Sequence, residues 1–145
     1  MKDEITSAEM NWNGTTYRTI LTAEASGGQM SVVDSVSPPQ SGPPRHIHHA
    51  EDETFVLLSG ECEFWLGGES RTAGAGEAVF VPRGTEHTFK VISDHPCRHL
   101  VILTPSGFEN FFKDMAEGQF RIPEDMSSIE DCAKRHSLSF TGPPL

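Results

Sequence analysis

The most informative stretch of this sequence is GPPRHIHHAEDETFVLLSG, residues 42–60. His46 and His48 stand two residues apart directly after two prolines, which favour an extended backbone. Because side chains alternate along a strand, both imidazoles are expected on the same face. Glu53 opens an apolar run after the polar turn at 49–52. The stretch therefore predicts two strands that bring three potential metal ligands together.

A second stretch, GEAVFVPRGTEHTF at 76–89, supplies a fourth candidate ligand. Pro82 is expected to end one strand and Gly84 to allow a tight turn, which delivers His87 to the next strand. Three imidazoles and one carboxylate suit a divalent transition metal, whereas calcium prefers oxygen ligands. Iron is the first candidate, followed by manganese, nickel, zinc and copper. Four protein ligands would leave two octahedral positions open for water, dioxygen or substrate.

Together these two stretches resemble the two sequence motifs of the cupin family. The first motif consists of a glycine, H-x-H, three or four residues, Glu, six residues and Gly. Residues 46–60 match it from the first histidine onward. The position of the motif's first glycine is occupied by Gln40. The second is Gly, five residues, P-x-G, two residues, His, three residues and Asn; residues 76–87 match it, although Val91 replaces the asparagine. The C-terminal segments TPSGFENFF and TGPPL also resemble small bacterial cupins related to quercetin dioxygenases.

The resemblance implies an all-β fold, an antiparallel jelly-roll β-barrel that holds a metal ion inside. It implies that the metal is bound by His46, His48, Glu53 and His87, and that Glu53 is also the catalytic residue that accepts a substrate proton. It further implies a homodimer.

The strand pattern agrees with this fold and places the motifs in one domain. Residues 1–104 are predicted to form the N-terminal strands and the barrel, with the motifs at 42–60 and 76–91, because short strand-like runs alternate with turn residues. Segment 43–49 is expected to be an extended edge. Residues 105–145 are predicted to form a C-terminal helical extension packed on the barrel.

Two short helices are predicted in that extension, over about 106–117 and 127–136. After Thr104 the apolar spacing changes from two residues to the helical period, as in Phe108, Phe111, Phe112 and Met115. Each helix is expected to begin with a capping box, formed by Ser106 and Glu109 in the first and by Ser127 and Glu130 in the second.

Apolar side chains share strand faces with the candidate ligands, as Phe55 does with Glu53 and Phe89 with His87. The metal is therefore expected to face an apolar cavity, which favours an aromatic or hydrophobic substrate over a sugar phosphate. His99 is interpreted as a proton shuttle, a substrate contact or a structural histidine. The substrate pocket is assigned to Phe55, Phe64, Phe89 and His99, with Leu57, Leu66 and Phe80 as further candidates for its wall.

The composition excludes some partners. The chain has 145 residues, with 11 Lys and Arg against 21 Asp and Glu, so its formal net charge is −10. This charge argues against nucleic acid and against an anionic membrane surface. No secretory signal and no membrane-spanning stretch is recognised, and the three cysteines fit reduced thiols in the cytoplasm. A small-molecule substrate is the expected partner.

Three functions remain open from the sequence. The first is a metal-dependent dioxygenase-like enzyme acting on a small substrate that bears oxygen and can be aromatic. The second is a non-redox isomerase, lyase or decarboxylase that uses the metal as a Lewis acid. The third is a cupin that binds a small molecule without turnover. One fold hosts all three kinds of activity, so the fold alone does not choose between them.

Overall fold

The structure is a computed structural model that describes residues 8–145. In chain order, the strands are β1 (Met10–Trp12), β2 (Thr15–Leu21), β3 (Ser31–Ser37), β4 (Pro44–His48), β5 (Asp52–Ser59), β6 (Glu61–Leu66), β7 (Glu69–Gly74), β8 (Ala78–Val81), β9 (His87–Val91), β10 (Cys97–Thr104) and β11 (Leu138–Pro144). Helices α1 (Glu109–Gly118) and α2 (Met126–Arg135) lie between β10 and β11.

The strands form two antiparallel sheets. One sheet has the order β1-β2-β3-β10-β5-β8, and the other has the order β11-β4-β9-β6-β7. The predicted jelly roll with short C-terminal helices is thus confirmed. Within residues 8–145 the two sheets stay separate hydrogen-bonded ladders, so the barrel is a sandwich of facing sheets and not one closed cylinder.

The alternation along β5 shows how the sequence builds the interior. Glu53, Phe55 and Leu57 are buried, while the residues between them are partly exposed. In β8 the same alternation buries Val79 and Val81 and turns Phe80 outward, where it is 56% exposed. Phe80 is therefore not part of the pocket wall, since the strand's register places it on the opposite face.

Strand β11 was not predicted from the sequence. It pairs with β4 and forms the edge of its sheet, so β4 lies second from the edge and the expectation of an edge at 43–49 was wrong. The segment contains Gly142, Pro143 and Pro144, which weaken a strand signal. Prolines are tolerated here because an edge strand needs fewer backbone donors. Arg45 supports the pairing by donating a 2.8 Å hydrogen bond to the carbonyl of Pro143.

The two predicted helices are present, but the predicted capping boxes are not. Phe108 precedes α1 and Asp125 precedes α2, and neither helix has a side-chain cap. The Glu109 carboxylate instead accepts a 2.7 Å hydrogen bond from the hydroxyl of Ser31 and a 2.8 Å bond from the N–H of Gly107. Tertiary contact with β3 thus replaces the local cap and fixes α1 against the six-stranded sheet.

All three cysteines are free and buried, as expected for structural thiols. Cys62 and Cys97, distant in sequence, meet with their Sγ atoms 3.4 Å apart. Cys62 lies on β6 and Cys97 on β10, so this contact joins the two sheets. Within residues 8–145, helices α1 and α2 have 10 residues each, which is too short for a membrane-spanning helix.

Candidate metal centre

Four buried side chains converge between the two sheets. His46 and His48 come from β4, His87 from the start of β9 and Glu53 from β5, and their ligand atoms all lie within 4.8 Å of one another. The register explains the meeting, because His46 and His87 are cross-strand partners. Each of the four is at most 8% exposed. The structure thus brings together the residues that the sequence analysis selected as metal ligands.

The imidazoles are oriented by hydrogen bonds on their outer nitrogens. His46 Nδ1 donates to the carbonyl of Pro44 at 2.7 Å, and His87 Nδ1 donates to the carbonyl of Thr85 at 2.9 Å. A carbonyl can only accept, so both Nδ1 atoms carry the proton. The Nε2 atoms are then the ones left to bind a metal. Such outer hydrogen bonds are the usual support of histidine ligands in metal sites.

His48 is held by a carboxylate that the sequence analysis did not single out. Its Nδ1 lies 2.7 Å from Glu51 Oε2, and its Nε2 lies 3.3 Å from Glu53 Oε1. Glu51 falls in the polar turn before β5 but is only 5% exposed. In the sequence it resembles any turn carboxylate; only its position three residues after His48 hints at a contact.

The electrostatics of the group follow from burial and from these contacts. Burial, with His87 and His48 nearby, lowers the pKa of His46 to about 3. Burial also opposes charge on His48, but Glu53 and Glu51 outweigh it and raise the pKa of His48 to about 9. Burial likewise opposes charge on Glu53, yet His48 and His87 hold the pKa of its carboxyl well below the usual range.

This donor set fits a divalent metal ion. The buried Glu53 carboxylate lies 2.9 Å from His87 Nε2, so a cation, either a proton or a metal, must lie between the two groups. Three imidazole nitrogens and one carboxylate oxygen match the ligands of iron, manganese, nickel, zinc or copper. The group can therefore hold a transition metal, and the ligand types alone do not choose among these ions.

A cavity opens from this group into the space between the sheets. Its volume is about 820 Å³, which includes solvent-filled space at its open mouth. Helix α1 and the segment before it line the cavity with Phe108, Phe111 and Phe112, and the Phe108 ring lies 4.3 Å from the ring of His48. The C-terminal helical segment thus contributes to the cavity wall beside the candidate metal centre.

Among the predicted pocket residues, Phe55, Phe89 and His99 line the cavity. Phe64 is buried behind them, with its ring 5.1 Å from Phe55 and 5.8 Å from Phe89, so it supports the wall without forming it. Leu57 is core as well. The alternation in the sequence predicts which face of a strand a side chain occupies, but not how deep that side chain lies in the cavity wall.

His99 lies at the other end of the cavity and is 3% exposed. Burial lowers its pKa to about 4, so the ring is neutral at physiological pH. Arg83, which follows Pro82 in the second motif, points away from the cavity and pairs with Asp52 at 3.1 Å. Among the described residues, no arginine lines the cavity.

Comparisons with known proteins agree with this architecture. A family model described as Cupin domain matches residues 34–103, which include all four candidate ligands. Quercetin 2,3-dioxygenase of Bacillus subtilis (strain 168) is 29% identical over 101 residues, which make up 70% of this chain and 30% of that protein. The chain spans about half the length or less of the curated relatives it matches.

Solved structures share the fold. KdgF from Halomonas sp. superposes with a TM-score of 0.64 at 16% identity, over 76% of this chain and 94% of that chain. The polyketide cyclase RemF from Streptomyces resistomycificus gives a TM-score of 0.57 at 25% identity, over 69% of this chain and 71% of that chain. With both motifs in place around a buried His and Glu group, the chain contains a cupin domain over residues 34–103.

Proposed function

We propose that this protein is a metal-dependent dioxygenase-like enzyme that acts on a small, largely apolar ring compound bearing oxygen substituents. The observation that carries the proposal is that the His and Glu group lies in an aromatic cavity which, within residues 8–145, is lined by no arginine or lysine. The similarity to a quercetin 2,3-dioxygenase supports the same chemistry.

The bound metal would supply Lewis acidity and a centre where substrate and dioxygen meet. The chain's own residues prepare the site for this chemistry. The Nδ1 bonds of His46, His48 and His87 fix the three rings. Glu53 stays ionised because His48 and His87 lie beside it; its low pKa makes it a weak base, so it would accept a proton only from a substrate hydroxyl that the metal has made more acidic. Phe55, Phe89 and the α1 phenylalanines exclude water from the substrate ring.

The test is oxygen uptake by iron- or manganese-loaded protein with a series of flavonols and catechols. We expect one dioxygen consumed per substrate molecule, and a loss of at least 100-fold in rate for Glu53→Gln, because the amide can neither accept the proton nor bind the metal as a carboxylate does. Glu61→Gln makes the same change at an exposed position and serves as the control. Turnover that proceeds equally well without oxygen would contradict the proposal.

A non-redox cyclase or lyase is the second candidate, favoured by the similarity to the polyketide cyclase RemF. An aromatic cavity beside a carboxylate base would also serve ring closure in a polyketide-like substrate, where the metal would act only as a Lewis acid. Anaerobic turnover supported by zinc would select this candidate. Metal-dependent binding of a small molecule without any turnover would select a binding protein.

A further inference from the structure

Two buried polar side-chain atoms that face the cavity have no hydrogen-bond partner. Within residues 8–145, the only such side-chain atoms are Ser35 Oγ and His99 Nδ1. Ser35 is 0% exposed and His99 is 3% exposed, and both line the cavity that begins at the candidate metal centre. A buried polar group without a partner is costly, and native structures rarely leave one without a role.

The two residues are neighbours. Ser35 on β3 and His99 on β10 are cross-strand partners, so their side chains leave the sheet side by side on the cavity face. The other ring nitrogen of His99 is already engaged, since Ser37 Oγ lies 3.5 Å from Nε2 and also accepts a hydrogen bond from Thr15. Whichever nitrogen carries the proton, Nδ1 therefore remains available to a ligand.

Their position is well separated from the metal centre. His99 on β10 pairs with Leu57 on β5, whereas Glu53 on β5 pairs with Leu103 on β10. Four residues of strand separate these two pairs, about 13 Å along the sheet. The rings of Phe55 and Phe89 lie between, with centroids 5.7 and 5.4 Å from that of His99. The cavity is thus polar at both ends and apolar in the middle.

We infer that Ser35 and His99 form a second recognition point that binds a hydroxyl or carbonyl oxygen at the end of the substrate away from the metal. This inference rests on the proposed function, because it takes the metal group to hold the substrate's other end. It narrows the substrate class to a compact ring compound with oxygen at both ends. A hydroxyl suits both partners, since it can donate and accept.

The test uses two pyranones that differ by one hydroxyl group. Kojic acid and allomaltol share a hydroxyketone that binds metals, and kojic acid carries a hydroxymethyl where allomaltol carries a methyl. Zinc-loaded protein is titrated with each compound by calorimetry, and its metal content is measured after each titration. We expect kojic acid to bind about 10-fold more tightly, the equivalent of one good hydrogen bond. In Ser35→Ala and His99→Leu this ratio should fall to about 1.

Ser31→Ala is the matched control. Ser31 is also a buried serine on β3, but its hydroxyl already bonds Glu109 and it does not line the cavity. The affinity ratio should stay near 10 in this variant, as estimated from one hydrogen bond. Equal affinity of both pyranones for the unmodified protein would overturn the second recognition point while leaving the metal-bound end intact. Binding of neither compound to zinc-loaded protein would instead overturn the proposed substrate class, and this inference with it.

Thermal stability without ligand gives an independent measurement. Ser31→Ala should lower the melting temperature, because it removes an existing hydrogen bond. Ser35→Ala should leave it unchanged or raise it, because the methyl group replaces a hydroxyl that has no partner. A fall as large as that of Ser31→Ala would show that the hydroxyl is already satisfied, by a buried water for example, and would overturn the inference.

Discussion

At the scale of single residues, the best-defined support of the metal group is Glu51, whose carboxylate holds Nδ1 of His48 at 2.7 Å. Replacing it by Gln removes the charge that favours a correctly oriented and basic imidazole. We expect Glu51→Gln to weaken metal affinity by about 10- to 100-fold while the fold is kept. Competition with a chromophoric chelator measures the affinity, and the exposed Glu61→Gln is the control. Equal affinities of the two variants would contradict a supporting role for Glu51.

A second residue-scale prediction concerns Asp34, which is 8% exposed and bonds Arg98 through both carboxylate oxygens, at 3.1 and 2.7 Å. The Arg98 guanidinium outweighs the effect of burial and lowers the pKa of the Asp34 carboxyl. A lowered pKa stabilises the fold above the unfolded value of about 3.9, and this gain is lost as the pH falls through the folded value.

Asp34→Asn should therefore cost about 1 kcal/mol at neutral pH, a modest figure because Arg98 is half exposed. The difference from the unmodified protein should shrink as the pH drops below about 4, since protonation then removes the same charge. Urea denaturation at several pH values measures it. Asp131, which is exposed on α2, provides the control Asp131→Asn, for which no change is expected. A pH-independent cost for Asp34→Asn would contradict the electrostatic explanation.

At the scale of the elements, the close approach of the segment before β4 to β9 depends on Gly42. A Cβ at this position would collide with the backbone carbonyl of Phe89, which cannot move without shifting β9. Gly42→Ala should destabilise the protein by about 2 kcal/mol or more and weaken metal binding, because His46 and His87 are cross-strand partners here. Gly74→Ala on β7 meets only ordinary contacts and should be nearly neutral. Equal stability of both variants would contradict this interpretation.

The same elements show what the sequence could predict. Strands β4, β5 and β9 were predictable because their alternation and the spacing of the histidines are local properties of the chain. Strand β11 was not, since its prolines and glycine suppress a strand signal and its pairing with β4 spans about ninety residues. The cap predicted for α1 failed for the same reason: Glu109 bonds Ser31, a partner remote in sequence.

The candidate site, too, has features that the sequence predicts and features that it does not. Its four candidate ligands were predictable because the spacing of the two motifs selects them. Three features of the site were not predictable, because each depends on which side chains meet in the folded chain. They are the contact of Glu51 with His48, the unpartnered hydroxyl of Ser35 and the position of Phe64 behind the cavity wall. The hydrophobic pattern predicts which face of a strand a residue occupies, whereas its burial and its hydrogen-bond partners depend on how the two sheets pack.

At the scale of the whole molecule, the candidate metal centre draws its residues from both sheets: His46, His48 and His87 come from one sheet and Glu53 from the other. A metal bound there should stabilise the fold, because the unfolded chain does not hold the four ligands in place. His48→Ala and His87→Ala should therefore remove both the bound metal and the metal-dependent part of the thermal stability.

The measurement that tests the metal centre most directly is elemental analysis of protein purified without chelators or a nickel column, with the two histidine variants alongside. We expect about one equivalent of iron, manganese, nickel, zinc or copper per chain, as four converging ligands imply. Both variants should keep their fold and lose the metal. An unmodified protein that takes up no metal even after reconstitution, or variants that keep a full equivalent, would contradict the assignment of His46, His48, Glu53 and His87 as metal ligands.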